Sequence, residues 1–466
     1  MCGVFGIRAP QRDVARIAYF GLFALQHRGQ ESAGIAVSDS GRLTVLRDMG
    51  LVSQVFDEQN LGGLHGDAAI AHTRYSTTGS NRWDNAQPLI HHGPERTIAL
   101  GHNGNLTNAT ELRSQLADEG VKLSSTSDSE VIAALITKDS APLDEAVAGA
   151  MARLEGAYSI VALSEGILIA FRDPFGFRPL ALGRLDGEWV VASETCALDL
   201  VGATFEREVA HGELVLVDGD GLRSIQAVEP AEQGALCIFE FFYLARPDTH
   251  LENVEVHGAR VRMGERLAAE APVDADLVLP IPDSGTPAAI GFSRATGIPF
   301  SEGLIKNRYV GRTFIQPEQG LREQGIKLKF NPLAELAGKR VVAVDDSIIR
   351  GNTTRQIVQM LFEAGATEVH VRVSAPPVIG PCFYGIDFAD PAELIGSDRT
   401  VEEIREHIGA TSLAYLSLEG LEESTLRPAS QLCRACLTGD YPTDVPVDAT
   451  KLKFELPLEV LRTSSG

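Results

Sequence analysis

Between Lys339 and Ser374 the chain leaves itself few choices of fold. A hydrophobic run, KRVVAVDD (339–346), leads through a small-residue loop into an amphipathic helical pattern at 353–364 that Gly365 stops, and TEVHVRVS (367–374) is the next hydrophobic run. A strand, a crossover helix and a second strand must lie parallel, and a parallel sheet gathers ligands at the carboxyl ends of its strands. DADLVLPIP (274–282), followed by DSG and a helical stretch from Thr286, repeats the arrangement. Residues 231–466 therefore read as an α/β domain. Residues 2–230 are different. RTIALGHNGNL (96–106), AYSIVALSEGILIAF (157–171) and GELVLVDGDG (212–221) are strand-like runs broken by Gly, Asn and Asp turns. Helical patterns occur at 12–27 and at 127–138, the latter with Ser127 as N-cap and Glu130 three residues on. Many strands with helices interspersed imply layered sheets covered by helices, an α+β domain. The polar stretch after Ile225 separates the two, and 466 residues suit two or three domains.

Charge narrows the function. Lys and Arg number 41 against 63 Asp and Glu, a formal net charge of −22, the opposite of a general nucleic-acid binder. Any anionic ligand must be held by a local pocket. No run of about 18 apolar residues suggests a membrane span, and MCGVFGIRAPQRD is not a secretory signal. These features point to a cytoplasmic enzyme. Six cysteines, at positions 2, 196, 237, 382, 433 and 436, are too few for a disulfide scaffold. In a reducing compartment they suggest a nucleophile or metal ligands.

Cys2 follows the initiator Met, and so small a residue permits removal of that Met. The thiol then stands beside a free α-amine of reference pKa near 8, able to take its proton. Alone, Cys2 reads more readily as a small buried residue opening a strand. Its company reverses that reading. LQHRGQESAGI (25–35) is a densely polar loop beside an apolar helix. AHTRYSTTG (71–79) places Arg74 where a guanidinium can grip a carboxylate. GHNGNL (101–106) offers a side-chain amide and a backbone N–H as an oxyanion hole, and TSDSE (126–130) supplies Asp128 for an ammonium. Together they suit an amino acid with a side-chain amide. MCGVFGI, LQHRGQESAGI, HTRYSTTG, GHNGNL and SDSE, in that order, resemble the class II glutamine amidotransferases of the N-terminal-nucleophile family. The resemblance implies a four-layer αββα domain, with Cys2 forming a glutamyl thioester. It further implies Asn103 and Gly104 as the oxyanion hole and Arg74 and Asp128 holding glutamine, with Arg28 contributing.

VVAVDDSIIRGNTT (341–354) is a strand, two adjacent acids and a small-residue loop opening a helix. Backbone N–H groups in such a loop cradle a phosphate, and paired carboxylates suit diol hydroxyls and Mg²⁺. The pattern resembles the signature of type I phosphoribosyltransferases. By that resemblance Asp345 and Asp346 face ribose and metal, and Ser347, Arg350, Gly351, Asn352, Thr353 and Thr354 lie in the 5′-phosphate loop. PIPDSG (280–285) is similar to the pyrophosphate-side loop, with Ser284 near Mg²⁺. KNRYVGRTFIQPEQGLREQGIKLKFNPL (306–333) supplies Lys306, Arg312 and Lys329 as pyrophosphate contacts, its later part being a lid that excludes water.

The two halves together resemble the amidophosphoribosyltransferases, over nearly the whole chain. This implies that glutamine is hydrolysed and its ammonia carried through a sealed channel to 5-phosphoribosyl 1-diphosphate, giving 5-phosphoribosylamine, glutamate and pyrophosphate. That is the first step of purine synthesis, and purine nucleotides are the implied feedback inhibitors of a homotetramer. Two other readings stand beside it. A sugar-phosphate-aminating amidotransferase has no phosphoribosyl signature, and a regulatory diphosphate-binding protein has no use for a processed N-terminal Cys. Cys237, Cys382, Cys433 and Cys436 suit either a structural zinc or a [4Fe–4S] cluster. The resemblance to the cluster-bearing branch favours iron–sulfur, with Cys196 left as a packed thiol.

Overall fold

The computed structural model describes residues 2–307, 328–388 and 391–445. Two antiparallel sheets lie face to face in the first half. The seven-stranded sheet runs, in spatial order, Thr204–Glu208, Ala181–Leu185, Glu188–Ala192, Gly3–Arg8, Ala68–Arg74, Ser32–Asp39 and Arg42–Met49. The six-stranded sheet runs Gly221–Gln226, Glu213–Asp218, Ile167–Arg172, Gly156–Ser164, Thr97–Leu106 and Leu89–His92. Val4, Ile70, Ala99, Val161, Leu168 and Val215 interdigitate between them. Val14–Ala24 and Thr195–Val201 cover the outer face of the first sheet. Ala109–Asp118, Ser129–Lys138 and Leu143–Met151 cover the second. This is the expected αββα stack. Because each sheet is covered on both faces, Ala68–Arg74 and Gly156–Ser164 are buried at every position, and their sequences read as continuous runs instead of alternating ones.

Two local expectations shift. The run at 157–171 is a hairpin, not one strand: Glu165 and Gly166, with φ of 54° and 80°, reverse the chain between Gly156–Ser164 and Ile167–Arg172. The helix expected to start after Ser127 starts after Asp128. Ser127 Oγ still takes the Ser129 amide at 3.2 Å, but Glu130 does not close a capping box. It accepts instead from the amides of Ser124 and Ser125, at 2.9 and 2.6 Å, in the turn before the helix.

The second half holds a four-stranded parallel sheet, Leu277–Pro280, Arg340–Asp345, Glu368–Val373 and Ser412–Tyr415. Val256–Glu270 and Thr286–Thr296 cover one face, Asn352–Glu363 and Val401–Ile408 the other. The first two helices cross at backbone distance. A Cβ at Gly264 would stand 1.9 Å from the carbonyl oxygen of Ala288, and one at Gly291 2.0 Å from that of Val261. A two-residue parallel pairing, Leu236–Cys237 with Leu432–Cys433, ties the end of the described chain back to the start of this half.

Candidate active site

Cys2 precedes the Gly3–Arg8 strand, which lies between Glu188–Ala192 and Ala68–Arg74 in the middle of its sheet. Its backbone nitrogen donates to Asn103 Oδ1 at 3.3 Å and its thiol to the Tyr75 carbonyl at 3.6 Å. Asn103 lies on the Thr97–Leu106 strand of the other sheet, so the thiol sits where the two sheets open at one end. Asn103 is fully buried, and its amide nitrogen Nδ2 has no hydrogen-bond partner. A buried, unanswered donor beside a nucleophile is ready to bind developing negative charge. Gly104 follows with φ of 153°, and a Cβ there would collide with the Ala157 carbonyl oxygen at 2.0 Å.

Arg74 and Asp128 border this point. The register pairs Gly3 with Thr73, bringing Arg74 next to Cys2 along the neighbouring strand. Arg74 donates to the carbonyls of Ser80 and Thr78 at 3.2 and 3.1 Å and lies 3.8 Å from Glu31. Asp128 Oδ2 accepts the Leu106 amide at 2.9 Å, tying it to the far end of the Asn103 strand. Behind that strand the His102 amide donates to Gln87 Oε1 at 2.8 Å, and the His102 ring meets Ser129 Oγ at 3.1 Å. Arg28 differs from expectation. Its Nε donates to the Cys2 carbonyl at 2.9 Å, and its two Nη groups bind Glu194 and Glu240. The side chain is completely buried, and although burial opposes its charge, Glu240 and Glu194 push its pKa up. Arg28 therefore holds the backbone of Cys2, with its guanidinium taken up by Glu194 and Glu240.

The second site lies at the carboxyl end of Arg340–Asp345. Asp345 is buried, and burial together with the charge of Asp346 drives its carboxyl well above the usual range. Burial raises Asp346 as well, opposed by hydroxyl groups of Ser284 and Ser347 that donate to it and by Arg260. Two buried acids on one strand end call for a cation or for hydroxyl donors. Gly351, with φ of 75°, turns the loop into the helix Asn352–Glu363, whose N-terminus faces the same space. Ser284, Lys329, Asp345, Asp346, Ser347, Arg350, Gly351, Asn352, Thr353 and Thr354 line one cavity of about 540 Å³. Lys306 does not line it; its ammonium sits on Asp283. Arg312 and most of the expected lid lie outside the described residues.

His27, Arg28 and Tyr75 from the first half line the same cavity, with Phe239, Tyr243 and Leu244 also in its wall. Cys2, Arg74, Asn103, Gly104 and Asp128 are not among its lining residues, so over the described residues the cavity comes up to Arg28 and Tyr75, which touch Cys2, and is not continuous with the glutamine site. Sequence reading missed the carboxylates Glu194 and Glu240 and the cavity-lining His27 and Tyr75. Glu240 lay in an apolar run, CIFEFFYLA, where an isolated acid among aromatics was the available signal.

The four outlying cysteines approach one another. Cys237 stands opposite Cys433 in the short parallel pairing, and Cys382 Sγ accepts the amides of Tyr384 and Ile386, both at 3.4 Å. Burial pushes the Cys237 thiol up to about 11 against the pull of Arg178, and burial plus the other cysteines raise Cys433 and Cys436 further. Among the described residues no group of three or more His, Cys, Asp or Glu side chains is gathered so as to hold one metal ion. Cys196 is buried apart from them, its thiol against Glu194 at 3.6 Å.

Comparison with known proteins fits both halves. Residues 72–200 match the family model of a glutamine amidotransferase domain, and residues 250–377 that of a phosphoribosyl transferase domain. The chain is 52% identical to an amidophosphoribosyltransferase of Mycobacterium tuberculosis, over 96% of this chain and 87% of the relative. It is 53% identical to one from Synechocystis, over 97% and 94%. Among solved structures it superposes, with a TM-score of 0.90 and 46% identity, on a glutamine phosphoribosylpyrophosphate amidotransferase from B. subtilis complexed with ADP and GMP. That match covers 96% of this chain and 99% of the other.

Proposed function

The chain belongs to the amidophosphoribosyltransferases, glutamine-dependent enzymes of the first step of purine biosynthesis, and we propose that Cys2 is the nucleophile with which it uses glutamine. The observation that carries this reading is the buried, unpartnered Nδ2 of Asn103 beside a cysteine whose backbone the same side chain grips. With Met1 removed, the α-amine of Cys2 takes the thiol proton, and sulfur attacks the glutamine amide carbon. Asn103 Nδ2 and the Gly104 N–H hold the oxyanion, Arg74 and Asp128 hold the substrate's carboxylate and ammonium, ammonia departs, and water hydrolyses the thioester. Ammonia then crosses the cleft walled by Phe239, Tyr243 and Leu244 and attacks C1 of the phosphoribosyl group. The C1–O bond to pyrophosphate breaks as the new C–N bond forms, and the amine sheds a proton.

In the second site the 347–354 loop and the helix behind it orient the 5′-phosphate, while Asp345 and Asp346 orient the ribose hydroxyls. Lys329 and, outside the described residues, Arg312 serve the pyrophosphate; Lys306 joins them by leaving Asp283. The raised carboxyls of Asp345 and Asp346, with the Ser284 hydroxyl, fit Mg²⁺, which when bound offsets charge on the diphosphate. Cys237, Cys382, Cys433 and Cys436 are the residues that would hold a [4Fe–4S] cluster: Cys237 stands opposite Cys433, three of the four are buried, two amides donate to the Cys382 sulfur, and the Arg178 guanidinium lies close by. Such a cluster would brace the end of the chain and take no part in the chemistry. A homotetramer, a cytoplasmic location and inhibition by purine nucleotides are proposed with it. None of the described helices is long and apolar enough to cross a membrane.

Replacing the nucleophile tests the two-site reading. Cys2→Ala is expected to abolish glutamine-dependent turnover while synthesis from concentrated ammonia stays within about twofold of the parent, because the second site is untouched. Loss of both activities in a folded variant would refute it.

A further inference from the structure

Arg28, which touches Cys2 directly, is itself held by a carboxylate that belongs to the other half of the chain. Its Nη2 donates to Glu240 Oε1 at 2.7 Å and its Nη1 to Glu240 Oε2 at 3.1 Å, a bidentate pair with both side chains fully buried. A guanidinium is a rigid planar fork, so fixing its two Nη groups fixes the direction of Nε. That Nε is the group holding the Cys2 carbonyl at 2.9 Å.

Glu240 is itself firmly seated. It opens the π-helical turn Glu240–Leu244, a rare geometry that recurs at functional sites. The buried Arg260 clamps that turn by donating to the carbonyls of Phe241 and Ala245 at 2.7 and 2.8 Å. Arg178 adds a second cation, 3.5 Å from Glu240, while also donating to the Tyr384 carbonyl at 2.9 and 2.6 Å. The loop around Tyr384 makes a separate contact with the oxyanion strand. Phe383 accepts from Asn105 Nδ2 at 2.8 Å, and a Cβ on Gly385 would stand 3.0 Å from the carbonyl carbon of Gly104. The glutamine site is thus gripped from the second half at both the nucleophile and the oxyanion strand.

We infer that Glu240 is a positioning residue for the glutamine half-reaction, setting the place of Cys2 through Arg28. The inference rests on Cys2 being the nucleophile. Glu194 remains to balance the charge of Arg28 when Glu240 is altered, so the loss to be read is one of geometry.

The test is Glu240→Gln, which keeps the shape and one acceptor oxygen but sets an NH₂ group against the guanidinium. Since a displacement of about 1 Å can cost on the order of 100-fold, glutamine-dependent kcat should fall about 10- to 100-fold with KM for glutamine changed less than about threefold. Ammonia-dependent turnover should stay within about twofold, and alkylation of Cys2 by iodoacetamide, followed on its peptide by mass spectrometry, should slow with kcat. Glu240→Asp, which restores the carboxylate, should recover part of both losses. An unchanged glutamine kcat, or an equal fall with ammonia, overturns the inference. If Glu240→Gln does not fold, Arg28→Lys keeps the charge but removes the fork between Glu240 and Cys2, and should lower glutamine-dependent kcat about 10- to 100-fold with ammonia use intact; no change there counts equally against it. Cys2→Ala run in parallel separates the premises: glutamine use surviving in that variant refutes the nucleophile, whatever Glu240 does.

Discussion

Single charged residues here take their properties from what the fold buries beside them. Glu208 has one carboxylate oxygen, Oε2, buried without a partner, and burial lifts its pKa to about 7, with Glu252 adding repulsion and Arg172 opposing it. The folded state thus holds this proton more tightly than the unfolded chain does. The stability contributed is complete below about pH 4.5 and is lost as pH rises through about 7. Glu208→Gln removes the titration, so its stability relative to the parent should climb between pH 4.5 and 8 by up to about 3 kcal/mol. Denaturant unfolding across that range checks it; parallel pH curves for the two proteins would show that Glu208 does not titrate there. Glu252, whose amide donates to Glu208 Oε1 at 3.4 Å, behaves oppositely: burial works to raise it, but His211, Arg172 and Arg427 bring it down to about 2. Arg28 belongs to the same lesson. In sequence it was one of several cations near a polar loop; only Glu194 and Glu240 make it a support for Cys2.

At the scale of elements, the strand, loop and helix from Arg340 to Glu363 form the unit on which the second site depends. The sequence showed it nearly residue for residue, because a buried parallel strand, a glycine at positive φ and an amphipathic helix each leave local marks. The two acids ending the strand gain their character from the sheet: both are buried, and each carboxyl is held above its usual range. Asp346→Ala leaves Ser284 and Ser347 without their acceptor and takes from Arg260 the largest of its countercharges, Glu194 and Glu240 remaining. Turnover of the diphosphate should fall at least about 100-fold with glutamine and with ammonia alike, since both need this site. A loss confined to glutamine would remove Asp346 from the phosphoribosyl chemistry. The parallel outcome expected here and the split expected for Glu240→Gln distinguish the two elements by one pair of assays.

For the molecule as a whole, the proposed cluster would join segments that are remote in the chain, 237, 382 and 433–436, and two of those segments run on into the grip on the glutamine site. Protein purified without oxygen is expected to be brown, with iron and acid-labile sulfide each at about four per chain. Exposure to air should bleach it and lower its melting temperature, as the brace between the chain end and the second half is released. Colourless, active protein with one zinc per chain would overturn the cluster.

The sequence by itself determined the layered first half, the parallel sheet of the second, the phosphate loop and the candidate nucleophile, because periodicity, glycine turns and polar loops are set by neighbours a few residues away. Tertiary structure decided how those parts act on one another. Arg28 meets Glu240 across 212 positions, Asn105 meets Phe383 across 278, and Arg178 meets Tyr384 across 206. No local pattern encodes such pairs. Each is a polar group that folding has taken out of water and that is stable only with its partner, and the partner is chosen by where the two halves of the chain come to rest.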